Sequence, residues 1–349
     1  MIRADAFSTR SPRAEDAGQP GGDRITLRFL ASTTDVTANG QSVPAGRVLE
    51  WIDNAGYACA VGWAGTHCVT AYVGNIHFTR PIRPGDLVEV HAQIMLTGTS
   101  SMHILVTVRA SDIRTRQYQP ALHCIVIFVA VDGDGTPCRV PTWHPATVPD
   151  LELQQLAEER IELRQRIQAV MQAAHYSGEA TSPSILLRFL ATPADVDSSG
   201  KVHGGTVMRW IDEAAYACAA GWSSESAAAV YAGGIQFRHP IAAGNIVEVH
   251  ARLIHTGPHS MHINIHVQSA PVHTPNNLTP TAQCLSIFVQ LDSDGHATTI
   301  DPWVPASDAD KKLDTHALTL IELRNELPAI PPETEARNHR GRGYEDVRP

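Results

Sequence analysis

The chain has 349 residues, enough for two or three domains, and 43% apolar with 18% charged residues is the balance of an ordinary soluble protein. A formal charge of −9 argues against nucleic-acid partners and against a basic membrane-surface protein, and no apolar run approaches a membrane span. The first twenty residues hold no stretch resembling a secretion signal, so residues 1–23 read as a disordered leader. Residues 328–349, ending "RNHRGRGYEDVRP", read as a disordered tail.

In chain order, residues 24–148 read as a short strand carrying "RFLA" at Arg28, a polar loop, a long apolar helix, then four strands. The helix holds "WIDNAGYACAVGW" at 51–63, greasy on most sides, with Asp53 inside it. A charged helix over Leu151–Ala174 and the turn-rich stretch "HYSGEATSPS" fill 149–182. Residues 183–305 then run through the same order. "WIDEAAYACAAGW" at 210–222 repeats the helix, and Asp212 recurs 159 positions after Asp53. "VEVHA" occurs at Val88 and at Val247, and "IELR" at Ile161 and at Ile321. The second unit closes with a helix over 306–327. This is two domain-sized repeats, not a short-period solenoid.

Strands in succession favour an antiparallel sheet, and one helix against such a sheet gives an α+β domain. "MHINIHV" shows the alternation, with Ile263, Ile265 and Val267 on one side and His262, Asn264 and His266 on the other. Cys59 matches Cys218 and Cys124 matches Cys284, which suits small core residues better than disulfides. A reducing cytoplasm is the expected compartment.

Several segments act together as a signature. They are "TTDVTANGQSVPAGRVLEWIDNAG" and "PADVDSSGKVHGGTVMRWIDEAA", supported by "CVTAYVGNIHFTRPIRPGDLVEVHA" and "TGTSSMHI". In them the chain resembles the tandem hotdog acyl-CoA thioesterases, in which the sheet wraps a central helix. The resemblance covers most of the chain outside its ends. It implies two hotdog domains paired as an intramolecular pseudo-dimer. Each site would combine one repeat's helix acid with the other's glycine-rich helix start.

His203, Gly204 and Gly205 open the second helix, where free N–H groups suit an oxyanion and glycines permit close approach of a thioester. A tight turn needing small residues explains them equally well from the sequence alone. Asp53 and Asp212 are candidates for general base or nucleophile, the alternative being an internal carboxylate satisfied by backbone donors. The resemblance adds a loop group from the partner domain, Asp197 in repeat two and Thr37 in repeat one, where Asn is commonest. It also adds a hydroxyl, Thr70, with Val230 expected at that place in repeat two. Asp197 near Asp53 would make two carboxylates competing for charge. Site one would hold Asp53, Thr70, Asp197, Gly204 and Gly205. Site two would hold Asp212, Val230, Thr37, Ala45 and Gly46, with one extra residue between Gly40 and Gly46 and Asn39 as a partial stand-in.

CoA phosphates would need local cations, for which Arg80, Arg83, Arg238 and His239 beside the paired Pro-Ile turns are candidates. Ser100, Ser101, His259 and Ser260 precede strands that could bond a pantetheine arm by strand-like pairing. No H-E-x-x-H, P-loop or dinucleotide fingerprint occurs, and "DGDG" at Asp132 lacks the glutamate of a calcium loop. No metal or cofactor is expected beyond the CoA moiety of the substrate. The expected reaction is hydrolysis of acyl-CoA, with a hotdog enoyl or 3-hydroxyacyl (de)hydratase and a non-catalytic acyl-CoA-binding regulator as rivals. By resemblance the chain would be a homo-oligomer, such as a ring of three.

Overall fold

The computed structural model describes residues 22–37, 40–114, 117–173, 180–197, 199–328 and 330. Most of the expected leader and tail, Asn39 and the first part of the linker lie outside these residues. Repeat one runs β1 (Arg24–Leu30), α1 (Ala45–Ala64), β2 (Cys68–Val73), β3 (Ile76–His77), β4 (Leu87–Thr97), β5 (Ser101–Ser111) and β6 (Gln119–Ala130), followed by α2 (Val148–Ala173). Repeat two runs β7 (Ser184–Leu190), α3 (Gly204–Trp222), β8 (Ala227–Phe237), β9 (Asn245–Thr256), β10 (Met261–Pro271) and β11 (Thr279–Gln290), followed by α4 (Asp308–Asn325).

All strands join one antiparallel sheet, ordered β1-β4-β5-β6-β2-β8-β11-β10-β9-β7, with β3 added on β8. The seam between repeats is β2 on β8, where Tyr72 faces Gln236 and Val73 faces Ile235. The sheet curls round α1 and α3, which pack on each other. Their apolar faces explain why: Leu49, Trp51, Ile52, Ala55, Ile211, Ala214 and Ala215 are buried against Phe128, Phe288 and the strand interiors. This is the hotdog arrangement, twice.

Gly65 ends α1 in the left-handed region at φ 67°, its N–H bonded to the Val61 carbonyl at 2.9 Å. The outer face of the sheet carries α2 and α4, which pack against β4 and β9 and against each other. Asp310 in the first turn of α4 accepts from the Thr181 N–H at 2.9 Å and its hydroxyl at 2.7 Å, tying the linker to that helix. All six cysteines are free thiols. Among the described residues, no helix is long and apolar enough to cross a membrane.

Candidate active site

The α1 helix carries Asp53 into the space between the two inner helices, where it is 3% exposed. Two donors hold its carboxylate. The Thr70 hydroxyl donates to Oδ1 at 2.6 Å, and the Gly205 N–H, from the first turn of α3, donates to Oδ2 at 2.8 Å. The β2–β6 register slips between Thr70 and Tyr72, and such a bulge re-aims neighbouring side chains. Thr70 therefore faces the helix while Tyr72 lies under α2, its ring centroid 5.6 Å from the Arg164 guanidinium carbon.

Both glycines are needed by space. A Cβ on Gly204 would lie 2.6 Å from Thr70 Oγ1, and one on Gly205 3.0 Å from Glu50 Cα. Burial raises the Asp53 pKa above its ordinary value, against the opposing bonds from Thr70 and Gly205. One expectation needs correcting here: the Gly205 N–H is spent on Asp53, so it does not face a thioester oxygen. The Gly204 N–H has no acceptor among the described residues, as the first N–H groups of a helix lack intrahelical partners.

Asp197 does not pair with Asp53. Its Oδ1 closes its own turn, accepting from the Ser199 N–H at 2.8 Å and the Ser199 hydroxyl at 2.5 Å. Burial raises its pKa, but these bonds outweigh burial and leave it below the usual carboxylate value. Its other oxygen lies 3.6 Å from His67 Nε2, and His67 Nδ1 meets the Tyr57 hydroxyl at 3.1 Å. The Tyr57 ring also stands edge-on to His203, centroids 6.3 Å apart. His67 and Tyr57 were missed by sequence reasoning. Tyr57 lies one helical turn beyond Asp53, a usable signal, whereas nothing in the repeat marks His67, whose counterpart is Ser226.

The second site is the same construction with fewer parts. Asp212 accepts the Gly46 N–H at 2.7 Å, and a Cβ on Gly46 would lie 2.9 Å from Arg209 Cα. The hydroxyl's place is Ala229, not Val230, because Ala229 faces Phe288 in the ladder as Thr70 faces Phe128. The Thr37 N–H reaches the Ser42 carbonyl whereas the Asp197 N–H reaches Lys201, which places the extra residue inside that turn. The Asp212 residue keeps some exposed surface, but its carboxyl is enclosed, and burial pushes it up to about 6. Between the two sites Arg209 Nε donates to Glu50 at 2.9 Å.

This two-fold arrangement has known relatives. The domain described as "Thioesterase superfamily" matches twice, over residues 42–116 and 199–275. A Buchnera aphidicola protein named as an uncharacterized acyl-CoA thioester hydrolase is 34% identical over 116 residues, 32% of this chain and 85% of its own. The chain belongs to the thioesterase superfamily. Along nearly its whole length it is similar to the mouse cytosolic acyl coenzyme A thioester hydrolase, 24% identical over 326 residues, covering 87% of this chain and 84% of that one. A Lactobacillus plantarum structure described as a candidate oleoyl thioesterase matches with a TM-score of 0.54 at 12% identity, over 77% of this chain and 97% of that one, which bears on the fold alone.

Within this thioesterase-superfamily chain the remaining expected residues divide between the two sites. The Val202 N–H bonds the Ile241 carbonyl, which brings the segment of Arg238 and His239 to the start of α3. The Val43 N–H bonds Ile82, which brings Arg80 and Arg83 to the start of α1. All four are exposed. Arg80 holds the Gln119 side chain, and His239 Nδ1 meets the Pro280 carbonyl at 2.8 Å.

Ser100 lies at the hairpin before β5 and Ser101 opens that strand, and His259 and Ser260 lie at the hairpin before β10. Strand-like pairing with a pantetheine arm is contradicted there: β5 is bonded on both edges by β4 and β6, and β10 by β9 and β11. Asp132 to Gly135 forms a turn, the Gly135 N–H on the Asp132 carbonyl at 3.0 Å. Among the described residues only Asp292, Asp294 and His296 approach closely enough to share a metal ion, and all three are exposed.

Proposed function

We propose that this protein hydrolyses acyl-CoA thioesters to a free acid and CoA, with Asp53 as the acting carboxylate. The observation that carries the reading is the buried Asp53 carboxylate, held jointly by the Thr70 hydroxyl and by the Gly205 N–H of the other repeat. Burial raises its proton affinity, which suits a group that must take a proton near neutral pH. Water beside Asp53 loses a proton to the carboxylate as its oxygen attacks the thioester carbon. The C–S bond then breaks, CoA leaves as thiolate, and the thiolate recovers the proton from Asp53. Direct attack by Asp53, giving a mixed anhydride that water cleaves, uses the same geometry. The unpaired Gly204 N–H is the donor offered to the developing oxyanion, aided by the positive end of α3.

Two glycines packed on the acid, a hydroxyl and a helix start in one place support acyl transfer. The names of the relatives support acyl-CoA as the substrate class and the cytosol as the compartment. Arg238 and His239, exposed beside the start of α3, are the cations offered to the CoA phosphates at this site. The test is thiol release from a panel of acyl-CoAs, run beside enoyl-CoA hydration. Hydration of the enoyl thioester without thiol release would overturn the reading.

A further inference from the structure

The repeated "IELR" segment has no part in the site around Asp53. It places Arg164 on α2 and Arg324 on α4, each laid over a tyrosine of the seam strands on the outer face of the sheet. The Arg164 guanidinium carbon lies 5.6 Å from the Tyr72 ring centroid, and that of Arg324 lies 4.2 Å from the Tyr231 centroid. Arg164 Nε and Arg324 Nη1 are both buried and have no hydrogen-bond partner. A third arginine, Arg160, joins them from the preceding turn of α2 and bonds the Pro328 carbonyl. Its counterpart in repeat two is Leu320.

No carboxylate of the described residues forms an ion pair with any of the three. The titratable groups facing them include Tyr72, Tyr231, His77, His103 and, beside Arg324, His262, all neutral near pH 7. Burial pushes the Tyr72 phenol up to about 12 and the Tyr231 phenol higher, while burial lowers His77 and takes His103 down to about 4. Three guanidinium groups thus lie over the seam strands of a chain of net charge −9, and no acid of the described residues pairs with any of them. Charges withdrawn from water are ordinarily paired.

Beside Arg160 and Arg164 opens a cleft lined by these two with Tyr72, Asn75, His103 and Leu327, while Arg324 lies outside it against Tyr231. Its cavity volume is about 30 Å³. That is room for a small ion and not for a nucleotide base.

The geometry points to a binding site for a small tetrahedral oxyanion of the phosphate class, held by Arg160 and Arg164 on the face of the sheet opposite Asp53. Guanidinium forks match phosphate oxygens, and a bound dianion supplies the charge that the cluster lacks. The reading is independent of the proposed hydrolysis.

The test is thermal unfolding of the full chain against inorganic phosphate, with chloride at equal ionic strength as control. A ligand of the folded state raises Tm in proportion to its saturation. Phosphate should raise Tm saturably and chloride should not. Arg160→Leu, which copies the residue repeat two carries, should weaken phosphate at least tenfold, while Arg238→Ala at the start of α3 should leave it within twofold.

CoA is titrated in parallel: an Arg160-dependent response to phosphate but not to CoA assigns the free ion, and an Arg160-dependent response to both assigns phosphate groups borne on CoA. Absence of a phosphate-specific rise in the parent, or an unchanged affinity in Arg160→Leu, would overturn the site.

Discussion

Replacing Asp53 by asparagine separates chemistry from folding at this site. The carboxylate takes one bond from the Thr70 hydroxyl and one from the Gly205 N–H. An asparagine keeps both, because its oxygen can accept from Gly205 while its NH2 donates to a Thr70 hydroxyl turned to accept. The exchange also removes a buried charge, so stability should change by no more than about 1 kcal/mol. The amide cannot take a proton from water or attack a thioester. Loss of such a group commonly costs about 100-fold or more in rate, roughly 2.7 kcal/mol of barrier.

Asp212→Asn makes the same exchange where the acid has the Gly46 N–H but Ala229 in place of a hydroxyl, and a lengthened loop turn beside it. It should leave kcat within about twofold, since the smaller constellation lacks groups whose placement catalysis needs. Both variants are compared with the parent at saturating acyl-CoA by thiol release, with Tm measured on each. Equal losses, or a larger loss at Asp212, would refute the assignment of the working site to Asp53.

Because burial raises Asp53, kcat/KM should fall on the acid side above the ordinary aspartate value, and a profile flat down to about pH 4 would contradict this. Thr70→Val removes a bond that lowers that pKa, so the acid limb should move to higher pH with kcat/KM down about tenfold; an unmoved limb would count against the bond. Gly205→Ala puts a Cβ 3.0 Å from Glu50 Cα and 3.1 Å from Asp53 Cβ, forcing the inner helices apart. It should cost about 1–3 kcal/mol in denaturant unfolding as well as activity.

Asp212, raised to about 6, binds its proton more tightly folded than unfolded. Its stabilising share is present below about pH 3.9 and is lost as pH rises through about 6. Asp212→Asn should flatten the Tm profile across that window, and an unchanged profile would remove Asp212 from the account. Exhaustive chelation should leave turnover intact, whereas loss restored by zinc would refute a metal-free reaction.

Much of the architecture was legible from the chain alone. The 159-residue echo of Asp53 in Asp212 revealed the duplication, and the alternation of Ile263, Ile265 and Val267 revealed β10 as a strand. Such patterns are readable because burial acts on each residue through its own element, whose period is local. The matched glycines Gly46 and Gly205 were also visible, and each packs against the opposite helix acid.

Pairings across elements were another matter. Whether the Gly205 N–H served a substrate or Asp53 depended on how closely α3 approaches α1, a distance no local pattern encodes. The counterpart of Thr70 was misread as Val230 by one residue, although the 159-residue offset that matches Tyr72 to Tyr231 gives Ala229, and one residue of shift turns a side chain to the other face. Asp197 stood at the partner-loop position, where Asn is commonest, and its oxygens are taken by Ser199 and face His67. The "IELR" repeat announced two helices but not that Arg160 and Arg164 meet at one cleft while Arg324 lies over Tyr231. Sequence by itself determined which segments become strands and helices and that they occur twice, since those follow from propensity and periodic burial. Only the folded sheet, curled so that each helix start meets the other repeat's acid, decided which donors reach which carboxylates, because those contacts join residues more than a hundred positions apart and depend on register to within a single residue.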